Sequence, residues 1–422
     1  MKKKPLIMKK KPLILLLLLL FALAPSAAFA EGLSIYEWSA SGSGMAESYM
    51  FGENDPAVLA YNPAAITRLD GRYLSVGASF FNPYDHNNFT KLGSANAGNS
   101  DSWDSNYSPA IGPYFYYADK AGSNSWWGVA MFPRFGNNIE YEPNWPGRYD
   151  TIFSGIKAFT FQPTYAWRMG ERWSAAVGLD INYFNLRMKS ATYTRGPDVF
   201  SDLDGSSVNV GGVFAVNYDF DKDTSAALVY RTRVRQDIDA DVDLSSLIPA
   251  YNFSTKAHGV ITLPDSIQFG VSHRFNQGRT RVEADLLWTN WTTYDSLNIS
   301  FDDPRLAAKS ATKDWNAVWR FNIGVEHRLS DMWSIMGGYC WDQSPVPDEY
   351  MDFTMPTGDR HRVSLGLKYR PNANQEWSLA YSAIFPSDRT VYSQKNGVDF
   401  ASGEICESLT QVIGFGCTLK LR

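Results

Sequence analysis

Three cysteines in 422 residues, Cys340, Cys406 and Cys417, are too few, and odd in number, for a disulfide framework. Cys406 and Cys417 could still pair in an oxidising compartment, although Cys417 lies in the last strand-like run. Histidine is scarce too, with only His86, His258, His273, His327 and His361. No Gly-x-Ser-x-Gly elbow, CxxC pair, HExxH or EF-hand loop occurs, and no Gly-rich phosphate loop precedes a helix. No metal site or cofactor is therefore expected. An outer-membrane enzyme such as a barrel lipase needs Ser, His and an orienting group together. His327 and His361 instead fall on the outward register of their strands. After Ala24 no apolar run approaches the roughly 18–20 residues of a membrane-spanning helix.

Acidic residues are missing from residues 1–12, which carry six lysines. An apolar run from Leu13 to Ala24 follows, then Pro25, Ser26 and the small-residue site Ala28-Phe29-Ala30. Basic, apolar, cleavable is the order of a secretory signal, and the run is too short for an anchor. Residues 1–30 are therefore expected to be a signal peptide, cut before Glu31. The heptapeptide MKKKPLI occurs twice, from Met1 and from Met8, which leaves two candidate starts. Removing the six lysines takes the formal charge from −5 to −11. An acidic exported chain is a poor partner for nucleic acid.

What is plentiful is aromatic: 15% of the chain, with 14 Trp and 23 Tyr. These residues sit in short runs with a period of two. In Ala227–Arg235, Leu228, Tyr230, Thr232 and Val234 form one face and Arg231, Arg233 and Arg235 the other. Trp319, Phe321, Ile323 and Val325 oppose Arg320, Asn322, Gly324, Glu326 and Arg328. His361, Val363, Leu365, Leu367 and Tyr369 oppose Arg360, Arg362, Ser364, Gly366, Lys368 and Arg370. A barrel puts the apolar face in lipid and the charged face in a wet lumen. Eleven further runs are Tyr73–Phe81, Ser108–Tyr117, Trp126–Arg134, Ala158–Arg168, Trp173–Leu186, Ser207–Asp219, Ser266–Phe275, Arg281–Trp288, Trp333–Trp341, Trp377–Ile384 and Leu409–Leu421. The reading is an all-β transmembrane antiparallel barrel of about 14 strands over residues 71–422. Short turns such as 170–172 and 221–223 should face the periplasm. Extracellular loops are expected at 82–107, 135–157, 187–206, 236–265, 289–318, 342–359 and 385–408. A bare edge in hydrocarbon would cost several kcal/mol per unpaired backbone group, so the sheet must close.

Residues 31–70 do not alternate. Their Ile35, Trp38, Met45, Tyr49, Met50 and Phe51 need burial, which fits a domain folded inside the barrel. This segment resembles the N-terminal hatch of the FadL family of outer-membrane long-chain fatty acid and aromatic hydrocarbon transporters. The resemblance rests on Glu37, Ser39, Ser41, Gly42 and Gly44 at the mature start, and on Asn62-Pro63-Ala64 followed by Ile66-Thr67. It also rests on Trp145-Pro146-Gly147-Arg148-Tyr149, on Asp359–Arg370, and on Val229–Asp243. The loop at 187–206 is short for members in which it helps form the outer ligand groove.

The resemblance implies passive uptake of a hydrophobic compound, with a long-chain fatty acid as the expected cargo. Extracellular loops capture it, a lumenal pocket holds it, the hatch rearranges, and it leaves sideways into membrane lipid. The family's lateral opening maps to the third strand, where Pro133 cannot donate to a ladder and Gly136 weakens packing. Arg148, Arg231, Arg233, Arg320, Arg360 and Arg362 are candidate partners for a carboxylate, although such arginines also pair with lumenal acids such as Glu283, Asp285 and Glu326. The chain is expected to act as a monomer. Alternatives are an aromatic hydrocarbon transporter of the same family, a general porin, and an adhesin or structural barrel.

Overall fold

The computed structural model describes residues 32–422 apart from 94, 95, 97, 107, 108, 356, 357, 396 and 397; the expected signal peptide and Glu31 lie outside the described residues. Fourteen antiparallel strands build one closed wall. They are β1 (Arg72–Leu92), β2 (Ala110–Lys120), β3 (Ser125–Glu140), β4 (Phe153–Met169), β5 (Trp173–Thr192) and β6 (Val199–Asp219). β7 runs in two segments, Thr224–Arg231 and Val234–Ser246, and so does β8, Phe253–Leu263 and Ser266–Phe275. β9 (Thr280–Thr289), β10 (Val318–Arg328), β11 (Trp333–Asp342), β12 (Arg360–Asn372), β13 (Gln375–Pro386) and β14 (Val398–Leu421) complete it. Closure comes from β1 pairing β14, from Arg72↔Leu421 to Leu92↔Ala401.

The period-two pattern sets which side faces what. Phe321, Ile323, Val363 and Leu365 are exposed on the outer wall, while Arg320, Asn322, Arg362 and Lys368 point inward and are buried. A soluble protein would not leave such a belt of apolar side chains in water.

Three expectations need correction. The predicted loops are largely paired ribbon. β5 and β6 pair out to Thr192↔Val199, β7 and β8 to Leu244↔Phe253, and β1 and β14 to Leu92↔Ala401. Beyond the lipid zone both faces become polar, so the apolar alternation fades while the backbone ladder continues. Only residues 193–198 connect β5 to β6, so no open loop exists at 187–206.

The second concerns Arg233 and Arg235, which face outward, not into the lumen. The paired positions advance seven residues on β6, from 213 to 206, and eight on β7, from 231 to 239. That extra residue is a bulge at Thr232, which exchanges hydrogen bonds with Gly212 through its N–H and Oγ1. One inserted residue flips every later side chain to the other face. Arg233 pairs with Asp265 at 3.0 Å, with its side chain 58% exposed.

Third, all three thiols are free. Cys406 and Cys417 lie on the same strand, β14, eleven residues apart, or about 35 Å at ~3.3 Å per residue, beyond any disulfide.

Candidate functional site

Residues 33–69 sit inside the wall, nearly all buried. Their local geometry follows from small and capping residues. Ser39 caps the short helix α1 (Ala40–Gly44), its Oγ accepting from the Gly42 N–H at 2.9 Å. Gly44 lets the chain approach the wall: a Cβ there would stand 3.1 Å from the Gly366 backbone of β12 and 2.9 Å from Met336 Cε of β11. A second short helix, α2 (Val58–Tyr61), ends at Asn62, and Pro63 opens a 3-10 turn over Pro63–Arg68. Asn62 Nδ2 donates to Met50 O at 3.1 Å and to Asn217 Oδ1 of β6 at 3.3 Å. Ala64 is fully buried, and its carbonyl accepts from the Thr67 hydroxyl at 2.8 Å. Glu37, Ser39, Gly42, Gly44, Asn62, Pro63 and Ala64 thus all lie within this enclosed segment.

The segment is tied to the wall at many points beyond Met45. Arg231 Nη2 donates to Ala60 O at 2.6 Å, Gln162 to Leu59 O at 2.9 Å, Trp126 to Leu69 O at 2.9 Å, and Arg168 to Thr67 O at 2.8 Å. Tyr49 donates to Asp55 and accepts from Lys368, which also meets Glu326 and Glu376. Arg281 binds Glu283 and Glu326, as lumenal arginines do when they are structural.

Among the described residues, the wall is incomplete at the seam between β2 and β3. β2 and β3 pair from Lys120↔Trp126 to Phe115↔Met131 and no further. Continuing that register would set Pro113 against Pro133, and neither can donate to a ladder. β3 stays paired to β4, with a bulge at Arg134 between Pro133↔Phe159 and Phe135↔Ala158. From Phe132 to Ile139 every residue of β3 is buried, whereas Ser125–Met131 alternates, so the strand's second half turns into the lumen. The free edge of β3 is taken by the enclosed segment. Ile35 N–H donates to Arg134 O at 2.9 Å, Gly136 N–H donates to Leu33 O at 2.8 Å, and Ser34 stands opposite Phe135.

Two cavities meet at Ser34 and Tyr36. One is lined by Trp38, Phe135, Val229, Pro264 and Leu287, together with Arg134 and Arg231. Both arginines share buried Asp180, at 3.1 and 2.8 Å. The other is lined by Glu37, Arg320, Cys340, Asp342, Arg360, Arg362 and Ile384. Arg362 lies 2.9 Å from Glu37 Oε1 and 3.2 Å from Glu47 Oε1. Arg320 stacks 4.0 Å over the Tyr36 ring. Arg360 Nε, Arg362 Nε and Asp342 Oδ1 are buried with no hydrogen-bond partner among the described residues. Burial pushes the Glu47 carboxyl up to about 7, against the opposing pull of Arg362.

Of the six arginines singled out from sequence, Arg320, Arg360 and Arg362 come together in one cavity and Arg231 lines the other. Arg233 is on the outer face. Arg148 lies in neither cavity: it pairs with Asp198 at 2.9 Å and donates to Asn96 and Tyr149. Sequence reasoning missed Arg134, Asp180, Glu47 and Pro113. The first follows Pro133 directly, and a second proline in the run Ser108–Tyr117 was the available signal for the last.

A family model described as "Outer membrane protein transport protein (OMPP1/FadL/TodX)" matches residues 21–422. The chain is 23% identical over 429 residues to a long-chain fatty acid transport protein of Escherichia coli O6:H1, covering 91% of each. Its fold is similar to the crystal structure of a Pseudomonas aeruginosa FadL homologue, with a TM-score of 0.83, 16% identity, and coverage of 93% of this chain and 100% of that one. The Ralstonia pickettii toluene transporter TbuX gives a TM-score of 0.71 at 16% identity, covering 92% and 100%. A closed fourteen-strand barrel with an apolar outer belt, matched by that model over nearly its whole length, is an outer-membrane protein belonging to the OMPP1/FadL/TodX family of transport proteins.

Proposed function

We propose that the chain takes up amphipathic carboxylates, long-chain fatty acids first among them, and releases them sideways into outer-membrane lipid. Residues 1–30 serve as the signal peptide, 31–70 as a hatch filling the lumen, and 71–422 as the barrel, working as a monomer. The observation that carries this reading is the cavity where Arg320, Arg360 and Arg362 converge, opening at Tyr36 onto a cleft of Trp38, Phe135 and Leu287. The donors of Arg360 and Arg362 that have no hydrogen-bond partner among the described residues suit a carboxylate head. An apolar tail gains about 0.8 kcal/mol per methylene on leaving water, so a dry route is favoured over an open pore. The seam beyond Met131, with Pro133 and Gly136 on its free edge, is the exit. A steady open porin is disfavoured by the buried segment 33–69.

Binding of oleate to the purified detergent-solubilised barrel tests this. The reading expects saturable binding that methyl oleate and toluene match poorly, and that Arg360→Gln weakens. Equal binding of acid and ester would contradict it. Preferential binding of toluene would favour the second reading, an aromatic hydrocarbon transporter, for which the aromatic lining of Tyr36, Trp38 and Phe135 is the supporting observation.

A further inference from the structure

Resting on that carboxylate reading, we infer that Glu37 is a built-in stand-in for the cargo's head group. Its carboxylate occupies Arg362 while the pocket is empty, and an incoming carboxylate that replaces it frees residues 33–37 from the edge of β3.

Arg362 grips the enclosed segment through two separate carboxylates, Glu37 at 2.9 Å and Glu47 at 3.2 Å. The Glu37 contact has charge but poor alignment: among the described residues, Arg362 Nη2 and Nε make no hydrogen bond. A head group with the same charge and a free choice of approach can therefore compete for Arg362. Exchange of one carboxylate for another leaves the charge of the pocket unchanged, so the displacement carries no penalty of an unpaired buried arginine. Glu47 stays on Arg362, and the chain beyond Ala40 keeps its anchors.

Glu37 is two residues from the seam. Ile35 and Leu33 together make only two backbone hydrogen bonds to β3, to Arg134 and from Gly136. Residues 35–39 belong to no helix or strand. Movement of the Glu37 side chain off Arg362 therefore pulls on a short stretch that covers the unpaired edge of β3, and its remaining tie at Glu37 is the bond from Ser79 Oγ to the Glu37 carbonyl at 3.1 Å. Cargo arrival and removal of the cover become the same event, which links binding in the pocket to opening of the seam.

The test uses purified full-length mature protein in detergent, with oleate and methyl oleate as probes. Removing the internal competitor in Glu37→Gln should tighten oleate about tenfold, because the binding-competent fraction of the pocket rises, and leave methyl oleate unchanged. In the unmodified protein, saturating oleate should raise amide exchange in peptides covering 33–37 and 134–136 but not in those covering 57–69. Suppose Arg362→Gln abolishes the preference for oleate over its ester while Glu37→Gln leaves oleate affinity as it was. The stand-in is then overturned and the anion pocket survives. Absence of any oleate preference in the unmodified protein removes both. If Glu37→Gln folds poorly, the exchange measurement still decides: no change at 33–37 on adding oleate overturns the inference.

Discussion

The two ends of the enclosed segment are held by the same wall in different ways. Residues 45–69 are tied by side chains of β3, β4, β6, β7, β8, β9 and β12, several of them charged and buried. Residues 33–38 are tied by two backbone hydrogen bonds at a broken seam, one ion pair to Arg362, hydrogen bonds from Ser79 to Glu37 O and from Tyr116 to Trp38 O, and the Tyr36 ring under Arg320. On the proposed route, the difference means that the segment need not unfold to let cargo pass. Its deep end can stay fixed as a stopper while its first residues move with low cost, since local opening free energy falls with the number of buried contacts broken.

The comparison is broken most severely at the deep end. Arg231→Ala removes the bonds to Ala60 O, Gln162 and Asp180, and leaves Asp180 with Arg134 alone. A loss of about 3–5 kcal/mol is expected for half of a buried pair. Planar-bilayer recordings should show conductance events that the unmodified barrel lacks; a silent, fully protected hatch would contradict the assignment.

The seam comes next. Pro113→Val with Pro133→Val restores two donors where β2 and β3 part. Uptake of oleate by cells should fall by about tenfold, the factor that ~1.4 kcal/mol of added barrier supplies. Heat-modifiable migration of the folded barrel should be unchanged. Uptake as before in a correctly folded double mutant would remove the exit from this place.

A smaller effect belongs to Glu47. Its carboxyl is raised to about 7 by burial, so the packed state holds the proton more tightly than the unfolded one. That stabilises the segment below pH 4.5 and is lost as pH rises through about 7, with a slope of at most about 1.4 kcal/mol per pH unit. Exchange protection of residues 40–50, corrected for intrinsic rates, should fall from pH 5 to pH 8, and Glu47→Gln should flatten that trend. An unchanged slope in Glu47→Gln would assign it to another group. Least affected is Arg233→Ala, on the outer face, which should shift stability by less than about 0.5 kcal/mol and leave uptake unaltered.

Much of the wall was legible because lipid on one side and polar lumen on the other impose a strict period of two, as in Trp319–Arg328 and Arg360–Arg370. The alternation marked Arg320, Arg360 and Arg362 as inward, but not as neighbours, since inter-strand register leaves no trace in one chain. The flip at Thr232 was invisible for a related reason: a bulge is defined by the partner strand, here Gly212, not by its own residues. Pro133 announced a pairing fault. Pro113 on the opposite edge and Arg134 in the bulge became meaningful only once the two strands were side by side.

The most direct measurement is a disulfide across the cover. Ser34 and Phe135 form a pair flanked by hydrogen bonds on either side, which sets their Cα atoms about 4.5 Å apart, within disulfide range. With Ser34→Cys and Phe135→Cys, oxidised cells should stop taking up oleate and recover on reduction. Equal uptake in the locked and unlocked states would contradict the account that residues 33–37 must leave β3 for cargo to pass.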